Sequence, residues 1–435
     1  MQVKANAAPI MPSMSAADVI ARRLLAALPP EQRAVAEAAV EVSAASGQRL
    51  FAVGGAVRDV LLGRPVADVD LVVEGSGIEL AREVAARCGG HLVIHPRFGT
   101  ASLITPAGRV DVVTARRERY PHPGALPVVE PSTIADDLAR RDFTIHAIAV
   151  RLWPSPTEIL DPFGGRADLE RRLVRVLHDG SFRDDATRAL RAFRYAARLD
   201  FRIEPHTLEL LRRDAVFLRR ISPARLRREL LLIFEDDRPE CALAQATDQG
   251  LLAALRCGLA WPAGVPDGVF AKARAWGLSL DAFGFCLLLA SARPEHVDRA
   301  VRRLALGPRI VSAVRALREI AVAPLLARAS VAPSAIAALL DAAPPESVAA
   351  TAFVARDEIA RRRCVRYLDE WRHVRPELDG DALAAMGFRG PEIGDALQAL
   401  RRARLDGVIS SRADEERFAR QRLLKRAGTA PAAGV

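Results

Sequence analysis

The period of apolar and polar positions changes near residue 168. Before that point short apolar runs alternate with helical stretches, and beyond it apolar positions recur almost entirely at helical intervals. Two amphipathic helices come first, within residues 15–46, with Ser15 as a cap and Pro30 in the first turn of the second. An apolar strand from Leu50 to Val53 then meets Gly54-Gly55; a short helical segment carries Arg58 and Asp59, and a second apolar strand presents Asp68 and Asp70. A helix from about Gly77 to Cys88 closes on Gly89-Gly90, and the β-like runs HLVIH, TASLIT, RVDVVTA and FTIHAIAVRL follow between proline and glycine turns. This interleaving predicts an α/β domain with a mixed sheet from residue 47 to about 160. Thr114 to Arg140, proline-rich and too long for a simple hairpin, predicts a functional or mobile loop. The helical half includes Ser181 to Leu199 as one helix, a serine-capped helix entering at Ser222-Pro223 and an apolar helix near Phe283 to Ala292.

Composition narrows the class. A chain of 435 residues, half of them hydrophobic, is long enough for two to four compact units. No apolar run reaches the roughly 18 residues of a membrane helix. The first fourteen residues lack a signal-peptide pattern, so a disordered tail on a cytoplasmic protein is expected, and GTAPAAGV at the other end is a low-complexity tract. Five scattered cysteines without a CxxC pair indicate neither a disulfide framework nor a zinc site. Charge adds more, because a net +10 favours a polyanionic partner. Lys4, Lys272 and Lys425 are the only lysines; GC-rich codon usage accounts for that choice but not for the positive surplus.

The chemistry-bearing residues cluster early. Side chains two apart on a strand share a face, so Asp68 and Asp70 stand together while Val69 and Leu71 turn to the core. Adjacent carboxylates raise each other's pKa unless a cation neutralises them, and hard oxygen donors suit Mg²⁺. Gly54-Gly55 lets backbone N–H groups approach an anion, and the helix start that follows favours negative charge. Phosphate on one side and metal on the other imply a nucleotide handled as its magnesium complex. Asp111 is embedded in Arg109-Val110-Asp111-Val112-Val113, where it either faces water at a strand end or is paired or metal-bound. Asp185 and Arg188, three apart, with Arg191 continuing their face, form at least an intrahelical ion pair.

The arrangement G-G-x-V-R-D-x-L-L-G-R-x-x-x-D-x-D-L resembles the signature of the nucleotidyltransferase superfamily, specifically its bacterial (class II) tRNA nucleotidyltransferases, the CCA-adding enzymes, and poly(A) polymerases. Further motifs fit in order. Arg140-Arg141-Asp142-Phe143-Thr144-Ile145-His146-Ala147 is close to R-R-D-F-T-x-N-A, with His146 at the asparagine position. Asp161-Pro162-Phe163-Gly164-Gly165 begins a match to D-P-x-G-G-x-x-D-L, a hinge between domains or an ordinary turn. The stretch at Asp184, Asp185 and Arg188 is similar to E-D-x-x-R, with Asp184 replacing the glutamate. Arg225 and Glu229 fall in a helix resembling the last motif, and residues 378–394 resemble the tail of bacterial CCA-adding enzymes.

This resemblance implies a polymerase-beta-like α/β head with a mixed sheet, then an all-α half of neck, body and tail. Its segments would be 1–46 (tail and N-terminal helices), 47–165 (catalytic), 166–240 (neck, base selection and RNA binding) and 241–435 (body and tail, binding tRNA). Asp68 and Asp70 would hold two Mg²⁺ ions with Asp111 as third carboxylate. Gly54, Gly55 and Arg58 would contact nucleotide, while Arg141 and Asp142 would hold triphosphate and ribose. Asp185, Arg188 and Arg191 would read the base: a carboxylate accepts from the exocyclic amine of cytosine or adenine and is left facing another acceptor by uracil or guanine. The Thr114–Arg140 loop would influence addition of the final nucleotide. The implied activity is template-independent addition of CCA, or part of it, to tRNA 3′ ends from CTP and ATP. A poly(A) polymerase, or an enzyme restricted to CC or A, keeps the same chemistry. A non-catalytic RNA-binding protein is opposed by the three aspartates, and a small-molecule nucleotidyltransferase by the long basic helical half.

Overall fold

The computed structural model describes residues 15–154 and 157–427, so the tails expected at either end, residues 1–14 and 428–435, lie outside them. The chain divides into two compact units, Met1–Ser222 and Pro223–Val435, with the boundary inside the expected 166–240 segment.

The first unit opens with α1 (Ala16–Ala27), where Ser15 and Asp18 form a reciprocal capping box, and α2 (Pro30–Ser46), which ends on Gly47 in the left-handed region. β1 (Arg49–Val53), α3 (Gly55–Leu61), β2 (Val69–Glu74) and α4 (Gly77–Cys88) follow, and β3 (His91–His95), β4 (Thr100–Thr105) and β5 (Gly108–Thr114) form a meander. Next come the hairpin of β6 (Arg116–Arg119) and β7 (Val128–Pro131), then α5 (Ile134–Ala139), β8 (Ala149–Trp153) and β9 (Ile159–Leu160). The seven-stranded sheet has the order β3-β4-β5-β2-β1-β8-β9, antiparallel except for the parallel pair β2–β5. It is the mixed sheet expected of the head. Phe51, Val53, Val72 and Ala149 pack with Ile134 and Leu138 of α5 in one core, while α2 and α4 pack on the sheet through β1, β4, β5 and β8. Each large apolar side chain buried there contributes roughly 1.5–3 kcal/mol.

Three expectations are corrected. FTIHAIAVRL is not one strand: Thr144–His146 forms a 3-10 turn and the strand starts at Ala149, because Thr144 N–H is drawn to Arg175 O and His146 N–H to Phe143 O, away from the ladder. Thr114 to Arg140 is not a structureless loop; ion pairs of Arg117 with Glu130 and of Arg116 and Arg140 with Glu118 accompany the β6–β7 hairpin and α5. Beyond α6 (Gly165–Arg171), the segment read as one helix is two, α7 (Ser181–Asp184) and α8 (Thr187–Leu199). Asp185 between them is extended, with φ −140° and ψ 100°, and its Oδ1 accepts from Thr187 N at 3.0 Å and Thr187 Oγ1 at 2.7 Å. Gly164-Gly165 is a turn within the first unit: Asp161 accepts from the backbone N–H groups of Gly165 at 2.6 Å and Arg166 at 2.9 Å.

The second unit is helical among the described residues, from Pro223–Phe234 to Arg412–Ala427. Proline in the first turn opens many of its helices, as at 239, 294, 308 and 345. The apolar helix Leu280–Leu289 is buried over nearly its whole length. Leu378, Leu383, Phe388 and Leu400 form a small core of their own in the tail-like segment. No helix among the described residues is long and apolar enough to cross a membrane.

Candidate active site

Register sets the carboxylates. Asp70 pairs with Val53 on one side and with Asp111 of β5 on the other, and register partners share a face, so the two carboxylates project together. Asp68 falls one residue before β2 and is exposed. Asp70 is half-buried, and among the described residues no hydrogen bond or ion pair reaches its carboxylate. Burial pushes its pKa up; Arg141 and Arg109 oppose this, and the charges of Asp111 and Asp68 reinforce it. Asp111 is already engaged, accepting from Ser102 Oγ at 2.5 Å and lying 3.1 Å from Arg109 Nε. No three His, Cys, Asp or Glu side chains converge as a ready metal cage among the described residues. The donor set nevertheless fits a divalent cation: hard carboxylate oxygens, one of them half-buried and, among the described residues, without a hydrogen bond or ion pair.

Gly54 serves these carboxylates differently from expectation. Its N–H donates to Ile148 O at 3.3 Å, so that donor is occupied within the fold. What the glycine allows is close approach: it sits at φ 70°, and a Cβ there would stand 2.8 Å from Arg141 Nη1 and 3.6 Å from Asp70 Oδ2. Arg141 donates from Nη2 to Asp137 Oδ2 at 3.0 Å and from Nη1 to His146 O at 3.3 Å, and its buried Nε has no partner among the described residues. Gly55 begins α3, where Arg58 lies buried, donating to both oxygens of Asp59 at 2.9 and 2.8 Å.

A buried relay crosses the site. Arg58 Nη1 is 2.7 Å from His146 Nε2, His146 Nδ1 is 2.8 Å from Asp142 Oδ1, and Arg191 donates to Asp142 Oδ2 from Nε at 2.9 Å and Nη2 at 2.6 Å. Since a guanidinium only donates, the network assigns Nε2 as acceptor and places the proton on Nδ1. Burial lowers the His146 pKa to about 4, against the pull of Asp142, so the ring is neutral near pH 7. For Asp142 burial acts to raise the pKa, but Arg191 and His146 override it and hold the carboxyl well below its ordinary value. Phe143 N also donates to Asp142 Oδ1, at 2.9 Å. With both oxygens so occupied, Asp142 stands here as the brace of Arg191, where the sequence pointed to a ribose acceptor.

Arg188 likewise departs from a simple pair with Asp185: it donates to Ser181 Oγ at 2.7 Å and Arg140 O at 2.8 Å, pinning α8 to the segment after α5. Asp184 lies on α7, 3.5 Å from His178 Nε2. Gly54, Gly55, Arg58, Asp68, Asp70, Asp111, Arg141, Asp142, Asp185, Arg188 and Arg191 line one cleft of about 470 Å³, whereas Asp184, Arg225 and Glu229, also drawn from the motifs, do not. Glu118 and Tyr195 line it too and were not singled out. Tyr195 carried a signal, standing four residues after Arg191 on α8, and its ring meets His146 edge-on with centroids 4.4 Å apart. Glu118 carried none, since Tyr120 Oη and Arg140 Nη1 reach it, at 2.8 and 3.1 Å, only once the hairpin forms. The cleft thus sets a carboxylate edge against guanidinium groups, an arrangement suited to a metal-bound polyphosphate.

Residues 50–175 match the poly A polymerase head domain, and residues 200–259 match a probable RNA and SrmB-binding site of polymerase A. An A-adding tRNA nucleotidyltransferase of Geobacter sulfurreducens is 34% identical over 404 residues, covering 85% of this chain and 44% of the relative. A CC-adding tRNA nucleotidyltransferase of the same organism is 29% identical over 401 residues, covering 84% and 90%. A Thermotoga maritima CCA-adding enzyme, solved in complex with tRNA, superposes with a TM-score of 0.74 at 27% identity, covering 93% of this chain and 98% of that one. The chain spans about half the length, or less, of several curated relatives it matches, from 23% to 51%. In its head domain, its RNA-binding segment and its fold the chain is thus similar to tRNA nucleotidyltransferases and poly(A) polymerases.

Proposed function

We propose that this protein is a template-independent tRNA nucleotidyltransferase that extends tRNA 3′ ends with CCA, or part of it, from CTP and ATP, releasing pyrophosphate. The observation that carries the reading is Asp70: a half-buried carboxylate without a protein partner among the described residues, beside Asp111 and Asp68, in a cleft lined by arginines. Asp68 and Asp70, with Asp111 beside them, would hold Mg²⁺. Two such ions, when bound, supply a lowered pKa at the primer 3′-hydroxyl and neutralisation of the leaving pyrophosphate. The protein's own groups do the rest. Arg141, brought close by Gly54, donates to the triphosphate, and Arg58 shares that task from α3. Asp142 holds Arg191 in place, and Asp185, fixed at the head of α8 by Thr187, faces the base with Arg188. A carboxylate and guanidinium together accept cytosine and adenine and penalise uracil and guanine. The basic helical unit would bind the tRNA body through phosphates, and these substrates place the work in the cytoplasm.

Two narrower readings, addition of A alone or of CC alone, stand beside it, since A-adding and CC-adding relatives both match, each at 46% identity, over 193 and 192 residues. All three readings share the same chemistry, and a poly(A) polymerase would share it too. Replacing Asp70 with Asn tests what is common to them. Incorporation into a tRNA primer is expected to fall about a thousandfold or more while tRNA binding, read by filter retention, is unchanged. Retention of wild-type incorporation by Asp70→Asn would remove the metal role.

A further inference from the structure

Gln32 lies on α2, outside the residues that match the head domain, and it is fully buried on the same helix as Val35, Ala36, Ala39 and Val42. An amide so placed costs free energy unless its polar atoms are bonded. Its Nε2 donates to Ala67 O at 2.9 Å and to Ala107 O at 3.2 Å, which uses both N–H groups. Turning the amide over would set Oε1 against two carbonyl oxygens, so the acceptors fix its orientation. Oε1 has no partner among the described residues; the side chain is held there by its donors alone. Both acceptors belong to segments that deliver carboxylates. Ala67 immediately precedes Asp68, and Ala107 precedes Gly108, the first residue of β5 and three before Asp111.

Asp68 is the carboxylate that most needs such a tie, because the β2–β5 ladder begins only at Val69. Gly108 makes room for it: φ there is 130°, and an added Cβ would stand 2.5 Å from Gln32 Nε2 and 3.6 Å from Asp68 Oδ1. We propose that Gln32 is a positioning residue for the metal site, one side chain joining the approach to Asp68 with the approach to Asp111 so that the carboxylates keep a fixed separation. The inference rests on reading Asp68, Asp70 and Asp111 as metal carboxylates.

Gln32→Met tests it, keeping the length and volume and removing both donors. Binding of Mn²⁺ to the protein, followed by electron paramagnetic resonance, is expected to weaken about tenfold, the usual effect of losing a group that orients metal ligands. The Mg²⁺ concentration for half-maximal incorporation should rise by a similar factor, with excess Mg²⁺ restoring the rate. Gly108→Ala, which crowds Nε2 while leaving Gln32 in place, should weaken Mn²⁺ binding in the same direction, so the test survives if one variant fails to fold. Unchanged Mn²⁺ affinity in a folded variant, with only the melting temperature lowered, would reduce Gln32 to a core tie and overturn the proposal. Failure of the wild-type protein to bind Mn²⁺ would overturn the underlying metal reading instead.

Discussion

One imidazole ring, that of His146, stands between the guanidinium of Arg58 and the carboxylate of Asp142. It can bridge them only while neutral, accepting on Nε2 and donating from Nδ1, and burial secures that state by lowering its pKa to about 4 from an ordinary 6.5. The sign for stability follows. Between about pH 6.5 and about 4 the unfolded chain binds a proton at this histidine that the folded chain does not, so its contribution makes the fold weaker as pH falls through that window. An asparagine at this position offers both an N–H donor and a carbonyl acceptor, whereas leucine offers neither. His146→Leu should therefore cost about 1–3 kcal/mol for each buried group left short of a partner, with a raised KM for nucleotide as Arg191 loosens. His146→Asn should keep most of that stability and lose part of the acid sensitivity. Thermal unfolding of the three proteins at pH 7 and near pH 5 checks both points; equal behaviour of the leucine and asparagine variants would mean that the relay does not matter.

At the scale of elements, adjacent glycines have opposite constraints. Gly164 sits at φ 70° with open space around it, while Gly165, the first residue of α6, packs so closely that a Cβ would stand 2.2 Å from Thr144 O and 2.8 Å from Ile148 Cγ1. Gly164→Ala should cost about 1 kcal/mol through backbone strain alone. Gly165→Ala should cost more, roughly 1–3 kcal/mol, because α6 must shift from the turn that carries His146; denaturant unfolding of the two variants ranks them. These contacts show where the sequence was readable. The β1–α3–β2 stretch was legible because strand alternation, the glycine turn and the carboxylate spacing are all local. The break at Asp185 was not, since helical spacing runs straight through it and the extended backbone of Asp185, with its contact to Thr187, is seen only in the folded chain. The hairpin between Arg116 and Pro131 was hidden because its support, Glu118 against Arg140, joins residues 22 positions apart in the chain. Arg191 was read as facing a base, and its hold on Asp142, 49 residues away, belongs to tertiary structure alone.

For the whole molecule, the cleft and all the motif residues lining it belong to the first unit, and the second is a helical body in a chain of net charge +10. Such a division matches the proposed labour of catalysis in one part and phosphate contact in another. Likeness to both A-adding and CC-adding relatives leaves the length of the product as the property that fold and motifs share least. The most direct test supplies the purified protein with Mg²⁺ and tRNAs ending at the discriminator base, at C or at CC, together with CTP, ATP, UTP or GTP, and reads product length on a sequencing gel. Extension with CTP or ATP alone among the four, ending no later than CCA, is the predicted result. No extension of any tRNA, or ready incorporation of UTP and GTP, would contradict the account.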